Sequence, residues 1–353
     1  MLTLLAAEPT TLQVVWYCLI AVLWIGYLVL EGYDYGVAML IPFLGKNEKE
    51  RRVIVNTIGP LWDGNEVWLL TAGGAMFAAF PGWYATLFSG LYLPLFLILV
   101  GLIIRGVSFE YRAKHPDARW RNAFDWMAAT GSFIVSLVFG VGFANFIIGM
   151  PVALAEGSTH LHVFTGGFWS LFSPFALLGG VVLVVLFLFH GANFLTLKTS
   201  GIVHDRAKAF SVKIGLGAIV GGAIYLVWAN LAYGIGLVGW LLTVVAALGL
   251  IASWFAMSKG RDGWAFTSTT VAILAVAVWI FVRMWPTLGF INSGVGLPLD
   301  RVTAASTELT LTIMTGAAIV FVPIVLAYQG WSVWVFRKRL STKNIPDDVV
   351  TAA

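Results

Sequence analysis

The sequence predicts an all-α integral membrane protein with nine transmembrane helices. Of its 353 residues, 59% are hydrophobic and only 11% are charged, and the mean hydropathy is +0.90. These values lie outside the range of ordinary soluble proteins. About 20 apolar residues are enough to cross the hydrocarbon layer of a membrane. Nine such stretches occur, at Thr11–Gly32, Gly59–Phe80, Tyr84–Val107, Phe124–Ile147, Phe168–Leu195, Ala209–Asn230, Gly234–Ala256, Gly263–Arg283 and Leu309–Phe336.

The basic residues lie almost entirely in alternate connections between these spans. Nineteen of the 21 lysines and arginines fall on one side, and only Arg283 and Arg301 fall on the other. Because basic connections stay in the cytoplasm, the amino terminus is predicted outside and the carboxyl terminus inside. Termini on opposite sides of the membrane require an odd number of spans, and nine is odd. The start of the chain has no basic leader, so we expect the first span to act as the insertion signal. The net charge of +4 does not indicate a nucleic-acid partner in such a protein.

A weak internal similarity links the ends of the first and fifth spans. Leu30–Tyr35 resembles Phe189–Phe194, with one glycine at the matching position. Four spans separate the two segments, so a repeat would be parallel. It would divide the chain into 1–160, with helices one to four, and 161–353, with helices five to nine and the C-terminal tail. The fold would then be two four-helix bundles plus one extra helix; chance similarity between helix ends is the alternative.

Two acids open the second span. Asp63 and Glu66 lie three residues apart, and Trp62 lies four residues before Glu66, so these side chains are neighbours on a helix. An acidic side chain at the centre of a membrane span costs about 2.5 to 3.5 kcal/mol, so its presence needs a reason. A close pair of carboxyl groups has the capacity to share a proton. The alternative is that Pro60 begins the helix and both acids complement its dipole.

Other charged residues lie near the predicted cytoplasmic ends of sequential spans. Glu31 and Asp34 share a face if the first helix continues past Gly32 and Gly36, where glycine allows another backbone to approach. Arg105 is the expected counter-ion for one or two acids, because an isolated buried guanidinium is costly. Asp125 opens the fourth span. Such a set favours a proton path from the cytoplasm, and a static polar cluster that ties the helices together is the alternative.

Ligands for metals and redox cofactors are few. The single cysteine, Cys18, excludes an internal disulfide or a CxxC metal site. His160 and His162 lie two residues apart in a loop, where solvated surface residues are a better interpretation than a metal site. His190 is the one histidine within a span, and it is more often a hydrogen-bonded residue than a haem ligand.

Five ordered motifs resemble subunit II of the cytochrome bd quinol oxidases. They are Glu31–Val37 (EGYDYGV), Gly59–Leu69 (GPLWDGNEVWL), Thr71–Ala79 (TAGGAMFAA), Arg105–Arg112 (RGVSFEYR) and Arg119–Trp126 (RWRNAFDW). The similarity continues through Leu171–Gly180 and Leu309–Leu311. It implies a bacterial inner-membrane subunit of nine helices. It also implies a partner, subunit I, that carries haem b and haem d, oxidises quinol and reduces dioxygen to water.

The resemblance also suggests roles for individual residues. Asp63, beside Trp62, matches the proton-channel aspartate of the family, and Asp34, Arg105 and Asp125 match further polar positions at the subunit interface. Glu31 and Glu66 join the predicted proton pathway on the local argument alone. No catalytic, cofactor-binding or metal-binding residue is expected in this chain. A small single-helix accessory subunit, quinone and lipids are possible further partners, and the short connection between the sixth and seventh spans departs from longer family members.

Two other functions remain open on the sequence alone. A secondary proton-coupled transporter would place carboxylates at a gate and would function alone. A purely structural subunit would use the acids only to join helices.

Overall fold

The computed structural model describes residues 8–159, 161–293 and 296–346. These residues form eleven α-helices: α1 (Thr11–Leu44), α2 (Glu48–Ile58), α3 (Trp62–Ala79), α4 (Pro81–Gly90), α5 (Tyr92–Tyr111), α6 (Ala118–Ile148), α7 (Pro174–Lys198), α8 (Ile202–Tyr233), α9 (Leu237–Ser258), α10 (Asp262–Met284) and α11 (Glu308–Val335). Short 3₁₀ turns occur at Arg112–Lys114, Phe168–Leu171 and Thr342–Asn344.

Eight of these described helices are long and apolar enough to cross a membrane. They are α1, α5, α6, α7, α8, α9, α10 and α11. The second predicted span corresponds to α3, which has only 18 residues and contains two acids and an asparagine. The third predicted span, Tyr84–Val107, is divided between α4 and α5, which meet at Leu91. A multi-pass helical protein is therefore confirmed, whereas the nine-helix arrangement and the division near residue 160 remain predictions.

The first helix is much longer than predicted. Thr10 and Gln13 form a capping box at its start, which satisfies two backbone N–H groups. The helix then continues to Leu44, twelve residues beyond the predicted end at Gly32. The prediction stopped where Glu31 and Asp34 lower the hydropathy. Burial of both acids against other helices allows the helix to continue.

Helix α7 lies in the centre of the bundle and packs against α1, α6, α8 and α10. Its closest approach to α1 is made by two glycines. A Cβ atom at Gly191 would lie 2.6 Å from Gly36 Cα and from Val37 N, and one at Gly36 would overlap the Phe187 carbonyl oxygen. Glycine is thus required here because the two backbones touch.

A small sheet closes one end of the bundle, which we name the sheet end. Strand β1 (Met150–Leu154) pairs antiparallel with β2 (His162–Phe164) and parallel with β3 (Phe290–Asn292). The described residues are mostly helical, and the all-α prediction did not include this sheet. The prediction of a solvated His162 is wrong, since this side chain is buried and its Nε2 contacts the Leu297 carbonyl oxygen at 3.0 Å. His160 lies outside the described residues.

The opposite end, named the basic end, carries the connections rich in lysine and arginine. The segment that follows α11 crosses this end. Leu340 N donates to the Lys198 carbonyl oxygen at 2.8 Å, and Arg339 contacts Asp262 at 2.8 Å. Ile345 is buried in a cluster that includes Val53 of α2. The segment therefore fastens the end of α11 to the rest of the bundle.

Helix α11 itself is almost entirely exposed, and Leu311 is its one buried residue. At the sheet end, Trp16 Nε1 donates to the Leu311 carbonyl oxygen and to Thr315 Oγ1, at 3.2 and 3.0 Å. Near the basic end, Gln329 contacts Asn65 of α3. Helix α11 is therefore held at a few discrete points rather than by a continuous packed face.

Candidate functional site

Five buried or half-buried side chains near the basic end form the acidic cluster, namely Glu31, Asp34, Asn65, Glu66 and Arg105. Arg105 lies at its centre, fully buried, and forms ion pairs with Glu31 of α1 and, at 3.4 Å, with Glu66 of α3. Glu31 is fully buried, whereas the Glu66 side chain is 22% exposed. The sequence-based expectation that Arg105 neutralises one or two acids is thus met by the geometry.

Asp34 occupies the second half of the acidic cluster. It is fully buried, and its Oδ2 accepts a hydrogen bond from Asn65 Nδ2 at 2.7 Å. The same nitrogen donates to the Tyr33 hydroxyl at 2.8 Å, and Asn65 Oδ1 accepts from Gln329 Nε2 at 3.0 Å. Helices α1, α3 and α11 therefore meet at a chain of hydrogen bonds.

Aromatic rings surround the guanidinium of Arg105. Its Cζ lies 4.7 Å from the centre of the Tyr35 ring, 5.5 Å from that of Trp62 and 5.3 Å from that of Phe109. Stacking on aromatic faces stabilises a desolvated arginine. The Tyr35 hydroxyl in turn hydrogen-bonds that of Tyr27, one helical turn before Glu31. The rings separate the charged groups from the apolar interior.

The acidic cluster retains unused hydrogen-bonding capacity. Within the described part of the chain, Arg105 Nε and Nη2 have neither a hydrogen bond nor an ion pair. Glu31 Oε2 and Asp34 Oδ1 meet no donor group, and the two carboxyl groups lie within reach of a hydrogen bond to each other, which requires a proton on one of them. Buried polar atoms are normally paired with protein groups or with ordered water. Three carboxyl groups also lie around one guanidinium here, and two of them, Glu31 and Glu66, form ion pairs with it. The cluster therefore offers sites for water and has the capacity to take up a proton.

Asp63 and Trp62 lie at the edge of the acidic cluster. The Asp63 side chain is exposed on α3, and it has no hydrogen bond or ion pair to any described residue. Helix α3 begins at Trp62 rather than at the predicted Pro60, and Leu61 provides no side-chain cap. Asp63 remains within the first turn, where an acid suits the helix dipole. Glu66 lies beyond that turn, and its partner is Arg105.

The structure places Asp125 outside the acidic cluster, in a separate network of ion pairs. Arg112 contacts both of its carboxylate oxygens, at 2.6 and 3.1 Å, and Arg51 contacts it at 3.0 Å. Arg112 also binds Glu48 through two parallel hydrogen bonds of 2.9 Å. The network joins α2, α6 and the 3₁₀ turn after α5.

Replacing Asp125 with asparagine is expected to lower stability by about 1.5 kcal/mol, the size of a hydrogen bond to a charged group. Two arginines would lose their shared anion, although Arg112 would keep Glu48. The thermal midpoint of the purified protein measures this effect. Exposed Asp117 provides the matched control, because its carboxylate caps only its own helix α6. Equal midpoints for the two variants would contradict the assigned importance of the network.

His190 lies within α7, and both nitrogens of its ring have polar partners. His190 is fully buried, with Nδ1 2.7 Å from Thr269 Oγ1 and Nε2 3.1 Å from the Val29 carbonyl oxygen. Its ring also stacks on Phe266 with centroids 4.7 Å apart. A carbonyl oxygen only accepts, so Nε2 carries the proton, and Nδ1 competes with the Phe266 carbonyl oxygen for the one hydrogen of the Thr269 hydroxyl. Both nitrogens are therefore occupied. The described residues contain no group of three potential metal ligands.

Sequence reasoning missed the participation of Gln329 and Tyr33. Gln329 is 264 residues from Asn65, and nothing in its local sequence indicates this contact. A glutamine within an oily span was nevertheless a detectable signal, because polar side chains are uncommon inside membranes. Tyr33 lies between the two predicted acids, and its ring stacks on Phe194 of α7 with centroids 4.0 Å apart.

Comparison with known proteins assigns the chain to a family. The family model described as "Cytochrome bd terminal oxidase subunit II" matches residues 12–336. The chain is 39% identical to cytochrome bd ubiquinol oxidase subunit 2 of Bacillus subtilis, over 95% of this chain and 98% of that protein. It is 36% identical to cytochrome bd-I ubiquinol oxidase subunit 2 of Escherichia coli K12, over 95% and 96%.

A solved structure shows the same fold. A chain of the bd oxidase from Geobacillus thermodenitrificans superposes with a TM-score of 0.73 and 17% sequence identity, covering 93% of this chain and 99% of that one. At this identity the structural similarity concerns the fold alone. The family model and the two relatives extend over nearly the whole chain. The chain therefore belongs to the cytochrome bd terminal oxidase subunit II family.

Proposed function

We propose that this chain stabilises a haem-bearing subunit I and conducts protons to it from the cytoplasm through the acidic cluster. Membership of the family makes the chain a membrane-spanning subunit of a terminal respiratory oxidase, an oxidoreductase complex with quinol as substrate and haems as cofactors. The finer proposal is that haem b and haem d belong to subunit I and that this chain ligates neither. The two occupied nitrogens of His190 support this division.

The single observation that carries the proton proposal is the composition of the acidic cluster. Three carboxyl groups and one guanidinium lie together near the basic end, and two guanidinium nitrogens have no partner among the described residues. A purely structural cluster would be cheaper with fewer acids, because each buried ion adds a desolvation cost. Carboxyl groups in excess of the fixed positive charges can take up protons, because a buried acid without its own counter-ion is more stable when neutral. The acidic cluster has that excess.

The proposed route begins at the basic end, which the positive-inside rule assigns to the cytoplasm. Asp63 is exposed at the edge of α3, and Glu66 follows one turn later with a side chain that is 22% exposed. Glu31 and Asp34 lie further inside and are fully buried. We infer that protons enter at Asp63 and Glu66 and are held at Glu31 and Asp34. Asp125 is a candidate for the entrance, where Arg51 and Arg112 keep its charge balanced.

The exposed face of α3 is the proposed contact with subunit I. Added Cβ atoms at Gly64, Gly73 and Gly74 would meet nothing within 4 Å. The large apolar side chains of Leu70 and Phe77 are 71% and 59% exposed. Glycine-rich faces allow close helix packing in membranes. A subunit docked on this face would cover Asp63 and receive its protons directly.

Replacing Asp63 with asparagine is expected to slow oxygen reduction by about tenfold or more. Positioned acid–base groups contribute roughly 10²- to 10⁴-fold, and water replaces such a group only in part. The measurement is quinol-driven oxygen consumption by the complete complex, with haem content confirmed by its visible spectrum. The control variant is Asp205→Asn, which removes another exposed carboxylate near the basic end. Full turnover by a haem-loaded Asp63→Asn complex would contradict the proposal.

A further inference from the structure

Gln329 is a polar residue in the exposed, apolar helix α11. Its side chain is half-buried, and its Nε2 donates to Asn65 Oδ1 over 3.0 Å. A polar group at membrane depth is costly unless it is paired or functional. This contact also links α11 to Asp34 through two hydrogen bonds, with Asn65 between them. Gln329 is thus the point at which α11 reaches the acidic cluster.

The direction of the Asn65 amide follows from its partners. The NH₂ group of Asn65 faces Asp34 Oδ2 at 2.7 Å, which is the direction that an ionised Asp34 requires, because an ionised carboxylate only accepts hydrogen bonds. Asn65 Oδ1 must then point the other way, toward α11. Asn65 is fully buried, so this oxygen has no access to bulk water and needs a donor from the protein. Gln329 supplies that donor.

We propose that Gln329 is a positioning residue for Asp34. By donating to Asn65 Oδ1, it holds the Asn65 amide with its NH₂ group toward the Asp34 carboxylate and so favours the ionised form of that acid. A reversed amide would present Oδ1 to Asp34. That arrangement is stable only if Asp34 carries a proton, because two oxygen acceptors need a hydrogen between them. The inference rests on the proposed function in one respect, that the protonation of Asp34 matters for proton delivery.

Other charged and titratable groups lie around Asp34. They are Glu31, Tyr33 and Tyr35 on α1, Glu66 on α3, Arg105 on α5 and His190 on α7, which reaches the site through its edge contact with Tyr33. All of them remain when Gln329 is replaced. We name the hydrogen bonds from Gln329 through Asn65 to Asp34 the amide chain. A change confined to residue 329 therefore separates the effect of the amide chain from that of the fixed charges of the site.

The test follows the protonation of Asp34 directly, by the infrared carbonyl band of its carboxylic acid in the resting complex. The variant Asp34→Asn identifies the band. In Gln329→Met the donor is lost at nearly constant side-chain length, and the titration midpoint of the band is expected to rise. In Gln329→Glu the new carboxylate only accepts, the Asn65 amide reverses, and the midpoint is expected to rise by about one pH unit or more, the size expected for one charge-assisted hydrogen bond.

Two controls separate positioning from charge and from helix attachment. The added charge of Gln329→Glu acts without Asn65 as well, so the double variant with Asn65→Leu measures that contribution alone. Gln329→Glu shifts the titration midpoint of Asp34 by one amount when Asn65 is present and by another in Asn65→Leu. The difference between these two shifts is the contribution of the amide chain. Thr315→Val removes a different attachment of α11, the contact with Trp16, and should leave the band unchanged.

The outcomes are distinct. A titration midpoint that does not move in Gln329→Met, or one that moves equally in Gln329→Glu with and without Asn65, overturns the positioning role. An equal shift in Thr315→Val overturns it too, because the effect would then come from loosening α11. The infrared measurement needs no turnover. Failure of the proton-delivery proposal would appear separately, as full oxygen reduction by the Asp63→Asn complex.

Discussion

Replacing Arg105 with methionine is expected to cause a larger loss of stability than any other single substitution proposed for this chain. Arg105 is the one cation among the described residues of the acidic cluster. Its removal leaves Glu31 fully buried without a counter-ion, and Glu66 loses its ion pair at 3.4 Å. Breaking a buried ion pair by removing one partner costs about 3 to 5 kcal/mol. Little folded protein should then accumulate in the membrane.

A second change in the same cluster tests this explanation. In the double variant with Arg105→Met and Glu31→Gln, the most deeply buried anion becomes a neutral amide, so much of the lost stability should return. Exposed Arg119 is the matched control, since methionine there should alter stability by no more than about 0.5 kcal/mol. The amount of folded protein and its thermal midpoint in mild detergent measure both effects. A double variant no more stable than the single one would refute the ion-pair explanation.

Replacing Gly191 with alanine is expected to have the second largest effect. The added methyl group would lie 2.6 Å from Gly36 Cα and from Val37 N, which are backbone atoms that no side-chain rotation removes. Helices α1 and α7 must therefore separate. Overpacking of a tight core costs about 1 to 3 kcal/mol and occasionally more, and a clash between backbones belongs at the upper end of that range.

The matched control for this change is Gly217 in α8. A Cβ atom there would meet only Val185 Cγ1, at 3.7 Å, which is an ordinary van der Waals contact. Alanine is also the better helix former, so Gly217→Ala should leave the thermal midpoint unchanged or slightly raised. The two variants add the same single methyl group to two helices. Equal midpoints would show that the α1–α7 contact is not as close as the structure indicates.

Much of the acidic cluster was predictable from local spacing. Glu31 and Asp34 lie three residues apart on one helix, and Arg105 is a guanidinium that a membrane tolerates only beside acids. Charge balance therefore predicts that Arg105 lies beside one or two acids, but it does not specify which ones. The function of the cluster stays a prediction, which the oxygen consumption of the Asp63→Asn complex tests.

Contacts between distant segments could not be predicted in this way. Asp125 meets Arg51 of α2 and Arg112 of the turn after α5, and no local pattern specifies that these elements come together. The break between α4 and α5 at Leu91 also escaped, since the hydropathy of this region is continuous across it. Hydropathy reports the cost of leaving water, whereas helix ends depend on the side chains that meet there.

The parallel pairing of β1 with β3 constrains the order of events during synthesis. Met150 is bonded in register with Phe290, so one edge of β1 has no partner until some 140 further residues have been made. During that interval four helices, α7 to α10, must be inserted. Because β3 is synthesised late, the first half of the chain cannot complete its folded structure before the second half has been translated.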